Sequence, residues 1–194
     1  MPRRKLKFAQ GAYYHIYNRG AARASLFHEA ADYAAMLWTL KHYLPRLQLT
    51  LIAYCLMPNH YHWLVRQDGT FNAGLLPTRV CKSYANRFNH KYQRSGTLFE
   101  SRFKAIPIDN DAYLRHLCRY IHANPVKDAI ATAPELWPYS NYCDWIGHRA
   151  GTLVDHAFVA THFPNRHTCR RFVLDYLTGR DAMPQTLADY LAAL

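Results

Sequence analysis

The chain is predicted to fold as an α+β two-layer sandwich: helices on an antiparallel sheet in the split βαβ, ferredoxin-like (RRM-like) arrangement, followed by a C-terminal helical extension. Three observations predict this. The apolar spacing switches between periods of two and 3.6 in the order β-α-β-β-α-β-α, which is the order of that fold followed by one more helix. Half of the 194 residues are hydrophobic and 14% are aromatic, enough to bury a core and to exclude disorder as the main state. No stretch approaches the ~20 apolar residues of a membrane span, and Met1–Lys7 is basic without the apolar run of a signal peptide behind it.

The elements follow in order. Ala12–Arg19 is aromatic and β-prone, and Gly20 closes it as the first strand. Tyr33, Met36, Leu37, Leu40, Tyr43, Leu44 and Leu47 recur at three- and four-residue steps, an amphipathic helix that tolerates Pro45 or ends near it. Leu49–Leu56 is a continuous apolar run, the second strand of a buried sheet, and Met57-Pro58-Asn59 turns the chain into an alternating third strand, His60–Arg66. Leu75–Tyr92 is the second helix, broken by Gln93-Arg94-Ser95-Gly96. Arg102–Ile108 is a fourth strand, at an edge because Pro107 has no N–H for a ladder. Asp109-Asn110-Asp111 caps a third helix that Asn124-Pro125 stops. Two further helices, Cys169–Thr178 and Pro184–Leu194, form the extension, so the chain divides into residues 1–148 and 149–194.

Charge is the next constraint. There are 24 Lys+Arg against 13 Asp+Glu, a net +11, which points to a polyanionic partner. Residues 1–28 hold Arg3, Arg4, Lys5, Lys7, Arg19 and Arg23 and no acid. Gly69–Phe99 is also free of acids and carries Arg79, Lys82, Arg87, Lys91 and Arg94 among Tyr84, Phe88, Tyr92 and Phe99, with Arg102 and Lys104 just beyond. Basic side chains beside aromatics suit phosphate contact and base stacking, and an amphipathic helix with a solvated basic face gives the same pattern. The five cysteines are odd in number and contain no C-x-x-C pair, so neither a disulfide framework nor a thiolate zinc site is expected. Thiols packed as small hydrophobes fit a reducing cytoplasm.

His60-Tyr61-His62 carries the chemistry. Alternate strand residues share a face, so the two imidazoles emerge together at roughly 7 Å between Cα atoms, within reach of one metal ion. Two neutral imidazoles leave coordination positions for a phosphate oxygen. In the third helix Leu114, Leu117, Cys118 and Ile121 form the apolar face, flanked by Tyr113, His116, Tyr120, Asn124 and Lys127. Tyr120 and Asn124 lie one turn apart, a phenol beside a carboxamide. Sheet-facing core residues would make the same pattern in a chain with 15 tyrosines.

Leu56-Met57-Pro58-Asn59-His60-Tyr61-His62-Trp63-Leu64-Val65 resembles the HUH strand of the single-tyrosine HUH transposases. Arg94-Ser95-Gly96-Thr97-Leu98-Phe99-Glu100-Ser101-Arg102-Phe103-Lys104 is similar to a segment of their REP-associated branch, as are Tyr120-Ile121-His122-Ala123-Asn124-Pro125-Val126 and Trp137-Pro138-Tyr139-Ser140. The resemblance spans residues 12–145. It departs from the family at Asp128, where a small residue is usual, and at Glu100-Ser101, where Gln-Gly is common; no motif covers residues 150–194.

The resemblance implies a nicking and strand-joining enzyme for single-stranded DNA with REP-like palindromic hairpins. It makes Tyr120 the nucleophile, giving a 5′-phosphotyrosine and a 3′-OH, and His60, His62 and Asn124 the ligands of Mg²⁺ or Mn²⁺. An ordinary phenol ionises near about pH 10, so the nucleophile needs help from a metal or a base, and His116 is one candidate. Arg3, Arg4, Lys5, Lys7, Arg19, Lys82, Arg87, Arg94, Arg102, Lys104 and Arg119 are the expected DNA contacts. No nucleotide cofactor is expected, since no Walker-type or G-x-G-x-x-G motif occurs. The enzyme is expected in the bacterial cytoplasm, away from membranes and near its nucleoid substrate, as a monomer rather than a homodimer. Two other readings stay open: a non-catalytic nucleic-acid binder on the same fold, and a metal-dependent hydrolase, which the basic charge and the lack of an H-E-x-x-H array disfavour.

Overall fold

The computed structural model describes residues 6–181. Arg3, Arg4, Lys5 and the expected helix Pro184–Leu194 lie outside the described residues. In chain order the elements are β1 (Tyr13–Arg19), α1 (Ala30–Arg46), β2 (Leu49–Met57), β3 (His60–Gln67), α2 (Leu75–Lys91), β4 (Lys104–Ile108), α3 (Asp111–Lys127), α4 (Tyr142–Trp145), α5 (His156–His162) and α6 (Arg166–Leu177). The four strands form one antiparallel sheet in the order β2-β3-β1-β4, the ferredoxin-like order expected from the sequence. β4 is an edge strand, where the missing N–H of Pro107 is tolerated.

β1 pairs with β3 from Tyr13↔Arg66 to Arg19↔His60. This register sorts the side chains. Tyr14, Ile16 and Asn18 share a face with Val65, Trp63 and Tyr61, whereas His15 and Tyr17 share the opposite face with Leu64 and His62. Tyr61 and Trp63 stack at 4.0 Å, and the Tyr61 hydroxyl lies 3.1 Å from Cys81 Sγ in α2, so the first face carries the helix layer. α1 packs on α2 there, with Met36, Leu40, Val80, Tyr84 and Phe88 buried.

α1 tolerates Pro45 in its last turn, as expected, and the Leu47 N–H closes the end on the Tyr43 and Leu44 carbonyls. Several boundaries differ from expectation for local reasons. The expectation that Asn124-Pro125 stops the third helix is corrected: α3 runs to Lys127 with Pro125 inside. Proline in the final turn removes one N–H, and the helix still closes through the Asp128 N–H on Asn124 O at 2.9 Å. β4 starts at Lys104, two residues later than expected, and α6 starts at Arg166 because Asn165 caps it through the Thr168 N–H at 2.9 Å.

The chain forms two compact units: one of the residues up to Leu51 with Leu56–Pro107, the other of Ile52–Cys55 with the residues from Ile108 onward. Within the second unit α6 packs on α3. In the second unit the Trp137–Asn141 segment closes the middle of β2. Ser140 bridges to Cys55, and the fully buried Asn141 side chain accepts from the Tyr54 N–H (3.0 Å) and donates to Ile52 O (2.8 Å). All five cysteines are free thiols.

Candidate functional site

In the first unit the sheet register gathers three imidazoles. His60 and His62, two apart on β3, hold their rings 5.1 Å apart at 83°. Each has its Nδ1 engaged by a neighbour: His60 with Asn59 Oδ1 at 2.7 Å, and His62 with His15 Nε2 of β1 at 2.9 Å. His15 stacks on His62 at 5.1 Å and on Tyr17 at 5.0 Å, and the Lys104 ammonium of β4 lies 5.6 Å from the centre of the Tyr17 ring. Burial keeps His15 and His62 neutral. It holds His62 well below the ordinary imidazole range, with His15 and His60 adding to the effect, and pushes His15 down to about 3. Neutral imidazoles are the form that ligates metal. Among the described residues no cluster of three or more His, Cys, Asp or Glu is arranged to hold an ion, so a cation here would draw on the pair and on donors of other kinds.

In the second unit α3 presents Tyr120 and Asn124 one turn apart, both buried. The Asn124 Nδ2 is buried with no hydrogen-bond partner among the described residues. The two ends of a carboxamide exchange on a flip, so that position can equally hold its oxygen, and the unmet polar demand fits a group that takes a ligand. The Lys127 ammonium lies 5.6 Å from the centre of the Tyr120 ring and donates to the Tyr176 hydroxyl of α6 at 2.8 Å. His116 packs on Phe172 of α6 at 5.7 Å, and burial lowers its pKa; it belongs to the α3–α6 contact.

The cations expected to hold DNA fall into three groups. Lys7, Lys82, Arg87, Arg94, Arg102 and Lys104 are exposed. Arg19 is engaged by Glu100 through both Nε and Nη2, so its charge is offset at the surface. Arg119 is 1% exposed, paired with Asp181 and set 4.5 Å from the Phe172 ring centre and 4.9 Å from that of Tyr176. It is an internal cation of the second unit, and the expectation of a phosphate contact is corrected for it. Sequence reasoning missed His15 and Asn141. The only signal for His15 was its place on an alternating strand, and its partner follows from the register.

No curated protein matches the sequence. Among solved structures, a REP-associated tyrosine transposase bound to a REP hairpin has the same fold, with a TM-score of 0.64 at 18% identity over 81% of this chain and 96% of that one. A putative transposase from Deinococcus radiodurans aligns with a TM-score of 0.43 at 16% identity over 62% and 95% of the two chains. A family model described as IS200-like transposase matches residues 8–124, more than half of the chain and a span that runs from before β1 to Asn124 of α3. The chain therefore belongs to the IS200-like transposase family.

Proposed function

We propose that this transposase nicks and rejoins single-stranded DNA at palindromic hairpins of the REP type, through a covalent bond to Tyr120. The observation that carries the reading is the imidazole pair on β3: two rings, two residues apart, each with Nδ1 engaged, in a member of a DNA-transposing family. The fold neighbour bound to a REP hairpin supports the substrate class. Mg²⁺ or Mn²⁺, held by His60 and His62 with the Asn124 carboxamide as a further donor, would supply Lewis-acid polarisation of the scissile phosphate.

The side chains do the rest. The Tyr120 oxygen forms a bond to phosphorus as the P–O3′ bond breaks, and the phenol proton is balanced by the proton that the departing 3′-oxygen takes up. The product is a 5′-phosphotyrosine and a 3′-OH, and attack by a 3′-OH reverses the step and joins strands. One phosphodiester is exchanged for another, so no nucleotide cofactor is consumed. The exposed cations of α2 and of the segment leading into β4 hold the DNA backbone.

Labelled single-stranded hairpin DNA incubated with the protein and Mn²⁺ is expected to give an adduct that survives denaturant and is absent from Tyr120→Phe. An undiminished adduct in that variant would remove Tyr120 from the reaction. Hairpin binding without any adduct in the wild type would favour a non-catalytic binder on this fold.

A further inference from the structure

We propose that His15 is a positioning residue for His62, accepting the His62 Nδ1–H at its own Nε2 and thereby fixing the tautomer that carries a lone pair on His62 Nε2. The inference rests on the reading of His60 and His62 as cation ligands and deepens it.

The contact is His15 Nε2 to His62 Nδ1 at 2.9 Å, between rings stacked at 5.1 Å and 23° and residues 0% and 3% exposed. Two facing imidazole nitrogens share one proton, so two arrangements are possible. In one, His15 donates and the His62 proton sits on Nε2, where an N–H turns a cation away. In the other, His62 donates and its Nε2 carries the lone pair. Only the second is a ligand.

Asn59 does the same for His60. Its Oδ1 is an acceptor 2.7 Å from His60 Nδ1, so the proton belongs on Nδ1 and the lone pair on Nε2. The two ligands would be presented in the same tautomer by two different neighbours, one on the β2–β3 turn and one on the adjacent strand. The register explains how His15 reaches its target: it pairs with Leu64 across the ladder and lies diagonal to His62 on the same face, while Tyr17, directly opposite His62, stacks on His15 at 5.0 Å and fixes its plane. A phenylalanine at position 15 would fill the space as a hydrophobe. It would remove the acceptor that His15 Nε2 offers the His62 Nδ1–H, a loss that packing does not replace. Outer partners of ligating histidines commonly set tautomer and ring orientation, and their removal costs about 10–100-fold in metal affinity.

The test uses the full chain without DNA. Mn²⁺ affinity is measured from the electron paramagnetic resonance signal of the free ion, and the His62 tautomer from long-range ¹⁵N–¹H correlation spectra of the metal-free protein at pH 7.5. His15→Phe is expected to weaken Mn²⁺ binding by about 10–100-fold and to abolish the defined Nδ1–H state of His62. His15→Gln, whose Oε1 can accept near the position of Nε2, is expected to recover most of both. Unchanged Mn²⁺ affinity in a folded His15→Phe protein would overturn the proposal. So would a wild-type His62 protonated on Nε2, a result that stands even if His15→Phe does not fold. His62→Ala separates the two levels: Mn²⁺ affinity unaffected in that variant would overturn the ligand reading itself, whereas loss there with no effect at position 15 would overturn the role of His15 alone.

Discussion

Buried polar side chains hold this structure at single positions, and Asn141 is the clearest case. Its carboxamide accepts from the Tyr54 N–H and from His122 Nε2 (2.9 Å) and donates to the Ile52 and Leu153 carbonyls, so one side chain satisfies a strand, a helix and a loop. His122 is held in the same cluster against Trp145 at 4.8 Å and Tyr142 at 5.4 Å, and burial lowers its pKa to about 4. The pH dependence follows. An unfolded histidine ionises near about 6.5, so between pH 6.5 and 4 the unfolded chain binds a proton that the native state refuses. Stability from this group is complete above about pH 6.5, falls as pH drops and levels off below about 4, a span worth about 3 kcal/mol. His122→Gln is expected to flatten that limb of a melting-temperature profile relative to wild type. An unaltered slope would mean that His122 titrates normally in the folded protein.

At the level of elements, α6 buttresses α3. Arg119 and Lys127, on either side of Tyr120 in sequence, both meet Tyr176, at 4.9 and 5.1 Å from its ring centre. Arg119 has its charge met by Asp181, so it acts as a cross-link between helices rather than as a surface cation. Arg119→Ala is expected to cost about 3 kcal/mol in chemical denaturation, through the lost stacking and the space left behind, with the salt dependence of hairpin binding unchanged. A lowered salt slope with intact stability would return Arg119 to the DNA-contacting set. The helices themselves were legible from period and caps: α1, α2 and α3 lie within a few residues of their expected limits. What the pattern could not show is which basic residue is inside. Arg115 and Arg119 read alike in a linear window, yet one is exposed and the other buried, because the difference is made by α6 more than forty residues later. The short helices Tyr142–Trp145 and His156–His162 are too brief for any period to develop.

For the molecule as a whole, the net charge of +11 is distributed unevenly in effect. Glu100, an acid inside the otherwise basic stretch, offsets Arg19 at the surface, where the two side chains are 41% and 40% exposed. Glu100→Gln is expected to raise hairpin affinity by about two- to fivefold at low salt and to steepen its fall with added salt, measured by fluorescence anisotropy. No change at any ionic strength would place that pair away from the DNA. The fold class, the imidazole pair and the Tyr120–Asn124 turn could all be read from the chain, because each is a matter of spacing within one element. His15 could not, because its contact with His62 spans 47 residues and exists only once the β1–β3 register is set. The Trp137–Ser140 motif was visible in the sequence without a task, and the task it shares with Asn141 has a consequence for how copies of the chain can meet. With Ser140 and Asn141 seated along Ile52–Cys55, another strand cannot add to the middle of β2 without first dislodging them. The opposite edge of the sheet is β4, a short strand that carries Pro107, a residue with no N–H to donate to a ladder.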